Sequence, residues 1–279
     1  MRIVPVFVVM FLVSLFFVCG CCNHGVFTVG TFNVRCPVDK TPNSWDERKD
    51  RCLEVIKNNK MDIFGTQEGV LKQLQDLTSN GEYAFIGSGR NDFKNGGEFS
   101  AIIYRKKRFE VLDSGTFGLS EKPEVPGYKS WGTAWPRIAT WGLFKDKKSG
   151  RKFLFYNTHL DNKSNNARVN GIKMIVSHAR AKANSLPLIL TGDFNTLQGS
   201  ETYRTAASLL KDSAVISETP HTGAKVTYTG YGKSKFTGTI DFVFVSDDFR
   251  VLTHKTDATR INGQYPSDHD PVIAEVQIK

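Results

Sequence analysis

The sequence predicts an α/β protein in which two mixed β-sheets pack face to face with helices on the outside. Three observations point there. Short apolar or alternating runs bounded by turn residues recur along the chain, as strands require. Some of these runs alternate with helical segments and others stand in hairpins, a mixture that layers strands on strands with helices outside. No repeat, low-complexity tract or linker interrupts the order, and 40% hydrophobic with 23% charged residues is an ordinary globular composition with a sizeable core.

Taken in order, residues 26–33 alternate apolar and small side chains and form a strand ending in Asn33. A polar loop with Pro37, Pro42 and Asn43 follows. Asp46 is expected to cap a helix running to about Asn58, with Cys52, Leu53, Val55 and Ile56 on its inner side. Residues 63–68 are a second strand ending in Glu68, and residues 71–77 a short helix. Residues 99–104 and 109–114 read as a hairpin across the basic tip 105–108. Residues 120–135 carry Pro123, Pro126, Gly132 and two tryptophans and read as a long surface loop, a kind of segment that is often functional. Residues 137–144 and 152–158 form a further hairpin around the basic turn 147–150.

Residues 167–184 place Val169, Ile172, Ile175, Val176 and Ala179 on one helical face. The apolar run 186–190 is a buried strand that leads into Thr191-Gly192-Asp193-Phe194-Asn195. Phe194 points away from its neighbours because side chains alternate along an extended chain. Asp193 and Asn195 therefore share a face, where a carboxylate and an amide can hold a water; a plain Asp/Asn turn is the simpler alternative. A helix near residues 201–210, a strand over 240–245 carrying Asp241, and a last strand over 272–277 complete the order.

At the N-terminus Arg2 precedes an apolar run over residues 3–18, about the length of a signal-peptide core and short for a membrane span. Residues 1–22 are read as a signal peptide or membrane anchor, with Val18-Cys19-Gly20-Cys21 a poor copy of a lipoprotein box. Residues 23–279 are read as the functional domain, secreted or anchored on the non-cytoplasmic side. The five cysteines, Cys19, Cys21, Cys22, Cys36 and Cys52, exclude a disulfide-dense scaffold and show no zinc-type spacing with histidine. Cys36 and Cys52 either bridge or remain buried thiols. A net charge of +9 favours a polyanionic partner, be it nucleic acid, a phosphorylated small molecule or an anionic membrane, or else serves solubility.

Several strands end in polar residues of a restricted kind: Asn33, Glu68, His159, Asp193 with Asn195, Asp241, and Asp268 with His269. Strand ends along one rim are where sites are built. Carboxylates and amides with few thiols suit a hard cation such as magnesium or manganese, and histidines beside them suit proton transfer or stabilisation of a charged oxygen.

Six ordered blocks carry a resemblance: Thr31-Phe32-Asn33-Val34-Arg35, Gln67-Glu68, Asn157-Thr158-His159-Leu160, Gly192-Asp193-Phe194-Asn195, Ile240-Asp241-Phe242-Val243-Phe244 and Ser267-Asp268-His269-Asp270-Pro271. Together they resemble the endonuclease/exonuclease/phosphatase (DNase I-like) superfamily, and Ser114-Gly115-Thr116-Phe117 with Trp135-Pro136-Arg137 looks like its secreted or CCR4-like branch. The resemblance implies a four-layer α/β/β/α sandwich and a divalent-metal-dependent hydrolase of phosphoester bonds, with Mg2+ or Mn2+ as cofactor. It implies Glu68 as the principal metal ligand with Asn33 and Asp268 near the metal. Asp193 would activate water, Asn195 would orient it or the phosphate, and His269 would contact the phosphate with Asp241 holding its ring. His159 would bind a non-bridging oxygen or assist the leaving group, and Arg35 and Arg137 would bind substrate. The general base is expected to be Asp193, or His269 paired with Asp241.

Abasic-site endonucleases have an aromatic residue where His159 stands, which argues against a DNA-repair role. The expected substrate is a nucleic acid, a phospholipid or a phosphorylated small molecule, handled by a monomer with membrane association through its N-terminus if the apolar run is kept. The alternative class is a catalytically inactive relative that binds a phosphorylated ligand or a partner.

Overall fold

The computed structural model describes residues 25–279, so the expected signal peptide or anchor lies outside the described residues. In chain order the elements are β1 (Val26–Asn33), α1 (Trp45–Asn58), β2 (Ile63–Gln67), α2 (Leu71–Thr78), β3 (Tyr83–Ile86), β4 (Ile102–Arg105), β5 (Phe109–Gly118), β6 (Ile138–Asp146), β7 (Lys152–His159), α3 (Asn165–Ala183), β8 (Leu188–Asp193), α4 (Glu201–Ala207), β9 (Lys211–Asp212), α5 (Ser213–Ile216), β10 (Thr222–Gly223), β11 (Asp241–Val245), β12 (Phe249–Thr256) and β13 (Val272–Ile278). One sheet has the order β10-β12-β13-β1-β2-β4-β3 and the other β5-β6-β7-β8-β11-β9. Both are mixed: β1 runs parallel to β2 and antiparallel to β13, and β8 runs parallel to β7 and antiparallel to β11.

Period-two alternation explains the layers. Phe27 and Val29 of β1, Phe153 and Phe155 of β7, Ile189 of β8, and Val243 and Val245 of β11 face inward and form the core between the sheets. The opposite faces are apolar too, because helices cover them. Ile172, Ile175 and Ala179 of α3 pack on Tyr156, Leu190 and Phe244, while Cys52 and Val55 of α1 and Leu74 of α2 pack on Phe32, Phe64 and Ile103. Each such fully buried side chain contributes about 1.5–3 kcal/mol relative to exposure. These three clusters lie wholly within residues 25–279.

Followed by steps of two toward one end, every inner row turns polar. The β1 row ends in Asn33, the β7 row in His159 and the β8 row in Asp193, and the β11 row starts with Asp241; all four are buried. Register aligns them, since Asp193 pairs with His159 on one side and with Asp241 on the other. One layer deeper, Asn157 ties the sheets together. Its Nδ2 donates to the carbonyls of Thr66 at 2.8 Å and Ala101 at 2.9 Å, and its Oδ1 accepts from Gln67 Nε2 at 2.7 Å and Thr191 Oγ1 at 3.0 Å. Gly65 leaves the room this needs, because a Cβ there would sit 2.1 Å from Asn157 Oδ1.

Two expectations are corrected. Residues 99–104 and 109–114 are not a hairpin: β4 pairs with β2 and β3 in one sheet, whereas β5 pairs with β6 in the other. The basic link between them crosses from sheet to sheet, since both edges of β4 are already hydrogen-bonded. The N-cap of α1 is Ser44, and Asp46 lies in the first turn, where its charge suits the helix dipole. The strands β3 and β12 lay outside the sequence reading. Cys36 and Cys52 are free thiols, Cys52 buried with Sγ 3.1 Å from the Pro266 carbonyl.

Candidate active site

Four polar strand ends meet loops that bend back over them. Three residues just past strand ends adopt left-handed backbone angles: Arg35 at φ 56°, Glu68 at φ 64° and Asn195 at φ 50°. For Arg and Glu this conformation is costly and marks a site held by its surroundings. At Glu68 it has a clear effect. Period two would turn Glu68 to the outer face beside Phe64 and Thr66, and the positive φ brings the carboxylate to the rim instead.

There Asn33 Nδ2 donates to Glu68 Oε1 and to Asp193 Oδ2, both at 3.1 Å, while Asn33 Oδ1 accepts from Arg35 N at 3.0 Å. Asn33 thus turns its nitrogen, not its oxygen, toward the carboxylates. Glu68 Oε2 accepts from Cys36 N at 3.1 Å. The Arg35 guanidinium lies 3.5 Å from Glu68 Oε2 and 3.7 Å from Asp268 Oδ2, and its Nε bonds Asp39 at 3.0 Å. Burial would raise the Glu68 carboxyl, but the His159 ring, the Cys36 amide, His269 and Asn33 hold it down at about 2. Burial and then Arg137 in turn hold His159 well below the usual imidazole range.

Asp193 Oδ1 accepts from Asn195 N at 2.9 Å. Its Oδ2 faces two ring nitrogens, His159 Nε2 at 3.5 Å and His269 Nε2 at 3.7 Å. Burial and the nearby Asp241 charge push the Asp193 carboxyl up. His269 Nδ1 donates to Asp241 Oδ2 at 2.9 Å. Burial alone would lower His269, but Asp241, then Asp193 and Asp268, outweigh it and keep the ring protonated. Asn195 Nδ2 donates to the Leu160 carbonyl and to His159 Nε2, each at 3.0 Å, which leaves the neutral His159 with its proton on Nδ1.

All ten residues singled out from the sequence converge here. Arg35, Glu68, Arg137, His159, Asp193, Asn195, Asp268 and His269 line one cleft of about 640 Å3, and Asn33 and Asp241 support it from behind. Arg137 Nε bonds Asp161 at 3.3 Å, while its Nη1 is buried without a partner. The same cleft includes residues the motifs did not reveal: Arg90, Glu98, Trp135, Tyr228 and Phe236. Arg90 pairs with Glu98 at 2.7 and 2.9 Å and lies 5.6 Å from the Trp135 ring. Trp135 belongs to the long loop flagged as functional. The buried Arg48 binds the carbonyls of Val34 at 2.8 Å, Arg35 at 3.1 Å and Pro266 at 3.1 Å, locking together the loops that carry Arg35 and Asp268.

A buried rim of carboxylates, amides and histidines on facing sheet ends is compatible with a hydrolytic type of centre. The chain belongs to the Endonuclease/Exonuclease/phosphatase family, whose model matches residues 30–269. The family hydrolyses phosphoesters and is generally divalent-metal dependent. An endonuclease/exonuclease/phosphatase from Bacteroides vulgatus is 35% identical, superposes with a TM-score of 0.86, and is matched over 91% of this chain and 99% of its own. A mannosyl-6-phosphatase from Bacteroides thetaiotaomicron is 34% identical with a TM-score of 0.84, over 90% and 99% of the two chains. Nocturnin from Rattus norvegicus, of the CCR4-like branch, is 25% identical over 273 residues, 87% of this chain and 60% of nocturnin. The chain thus spans about three-fifths of that curated relative.

Proposed function

We propose that the chain is a divalent-metal-dependent phosphoester hydrolase whose substrate is a small phosphorylated sugar or polyol. The observation that carries the hydrolase reading is the convergence of His159 and His269 Nε2 on one oxygen of Asp193, at 3.5 and 3.7 Å. A site built only to bind phosphate has no use for a buried carboxylate of raised basicity at its centre.

The donor set suits a hard cation. Glu68 and Asp268 both lean on one positive group, the Arg35 guanidinium, and Glu68 is ionised. They would hold Mg2+ or Mn2+, with Asn33 steadying Glu68 through its amide nitrogen. Asp193, Asp241 and His269 also offer atoms within 4.8 Å of one another. His269 Nδ1, however, is already committed to Asp241 at 2.9 Å, so the cation is assigned to Glu68 and Asp268. When bound, the ion supplies charge neutralisation and polarisation of the phosphate.

The remaining work falls to side chains. Asp193 takes the proton of the attacking water, and Asn195, fixed by His159 and the Leu160 carbonyl, orients that water or the phosphate. Protonated His269 donates from Nε2 to a phosphate oxygen, and the Arg137 guanidinium in the cleft wall adds positive charge beside it. These donors favour the charge that spreads over the oxygens in the transition state.

For the substrate, an aromatic plate beside an arginine, a carboxylate and an amide matches a ring that carries hydroxyls. Trp135, 57% exposed at the cleft mouth, stands with Arg90, Glu98 and Asn162 in that relation. Identity to the mannosyl-6-phosphatase supports the same class. The basic runs 105–108 and 145–148 lie at the far end of the sandwich and cannot lead a polynucleotide into the cleft. The test is phosphate release from mannose 6-phosphate, against cleavage of bis-p-nitrophenyl phosphate, with Mg2+, Mn2+ or chelator. Metal-dependent turnover that prefers the monoester is expected; tight phosphate binding with no turnover under any metal would establish the inactive-relative alternative.

A further inference from the structure

The end of the sandwich opposite the cleft is strongly basic. β4 and β6 finish there and β5 and β7 begin there, so two turns come together. Lys147 Nζ donates to the Lys106 carbonyl at 2.8 Å, and Lys147 N to the Arg108 carbonyl at 2.9 Å. Lys106, Lys107, Lys147, Lys148 and Lys152 are exposed. Of the acids at this end, Asp62 and Glu82 pair with Arg105 and Asp146 with Arg108, while Glu110 opposite Lys145, and Asp247 and Asp248 of the β11–β12 turn, are exposed and outnumbered by the lysines. Those five lysines make no ion pair among the described residues. Residues 1–24 contain no aspartate or glutamate that could neutralise them.

The chain also enters the fold at this end. β1 starts at Val26, whose carbonyl accepts from Arg108 Nη2 at 3.0 Å. The segment that carries the apolar run 3–18 therefore connects to the described domain at this end, at residue 25. At about 3.3 Å per residue, β8 alone sets the two ends roughly 20 Å apart. Charge placed there cannot help a substrate reach Asp193.

We propose that this lysine end is a docking face for an anionic phospholipid surface, which turns the cleft away from the bilayer toward soluble phosphoesters. An anionic surface attracts each nearby lysine by about fivefold in partitioning, and the effect is screened within a Debye length. Nucleic acid would answer to the same charge, but the junction with an apolar segment favours a bilayer.

The test is vesicle co-sedimentation of residues 25–279, which contain all three cores, with phosphatidylglycerol-rich and pure phosphatidylcholine vesicles. The domain should bind only the anionic vesicles and be released by raised salt. The variant K106E/K107E/K147E/K148E should bind at least several hundredfold more weakly, four lysines at about fivefold each, with an unchanged circular dichroism spectrum as its folding control. Equal binding to both vesicle types, equal binding by wild type and variant, or a preference for duplex DNA over the anionic vesicles would each overturn the proposal. Should the variant not fold, the single substitutions Lys107→Glu and Lys148→Glu carry the same comparison, each with a loss of about fivefold.

Discussion

His269 donates its Nδ1 proton to Asp241 Oδ2 across 2.9 Å, and this contact decides which nitrogen serves the cleft. With Nδ1 committed, Nε2 is the one that faces Asp193 and the phosphate position. Replacing His269 by alanine should lower kcat by about 10²–10⁴-fold. Asp241→Asn should lower it less, because the ring keeps its place but loses its charge partner. Steady-state kinetics on both variants checks this; equal, near-normal rates would contradict the assignment.

The same contact sets the pH profile. Asp193 is raised by burial and by Asp241, so base activity that needs its ionised form is lost as pH falls through a value above the usual carboxylate figure of about 3.9. His269 is raised by Asp241 against burial, so donation from its protonated form is lost as pH rises through a value above about 6.5. Asp241→Asn removes the charge that raises both, and both limbs of kcat/KM against pH should move to lower pH. Limbs that stay in place would mean that Asp193 and His269 do not act as base and donor.

Glu68→Gln keeps the shape of the side chain and removes its charge. Metal affinity, read by calorimetry, should fall by about tenfold or more, since a carboxylate ligand is lost to a hard cation. Binding of Mn2+ at wild-type strength would place the cation elsewhere, with Asp193 and Asp241 as the next candidates.

Much of this rim was legible in the sequence, for a physical reason. Asn33, His159 and Asp193 each continue an apolar inner row at period two, so a strand reading that places Val29, Phe155 and Ile189 inside places them there as well. What hid the rest was nonlocal. Glu68 is legible as a polar strand end, although the positive φ that turns its carboxylate to the rim is invisible to alternation. The crossing of residues 106–108 between sheets depends on β2 and β3 already occupying both edges of β4, a fact about strands 20 to 40 residues away. Arg90 and Glu98 form an ion pair across a glycine-containing loop with no periodic signal.

Gly65→Ala tests the polar tie beneath the site. The added methyl would collide with Asn157 Oδ1 and Thr191 Oγ1, both inside the core, so the sheets must part or the network must break. A loss of about 1–3 kcal/mol in urea unfolding is expected. Unchanged stability would show that Asn157 does not hold the sheets at this spacing.

Trp135→Ala should raise KM for a sugar phosphate about fivefold while leaving p-nitrophenyl phosphate within about twofold, as removal of a stacking plate costs roughly 1 kcal/mol. Equal effects on both substrates would argue that Trp135 shapes the loop rather than the specificity.

The most direct test is phosphate release by the purified protein with saturating Mg2+ or Mn2+, set beside the Asp193→Asn variant and a chelated sample. Turnover of the wild type, with loss of at least about a hundredfold in the variant and in the chelated sample, is the expected result. A variant that hydrolyses phosphoesters as fast as the wild type, or full activity in chelator, would contradict a metal-dependent centre built around Asp193.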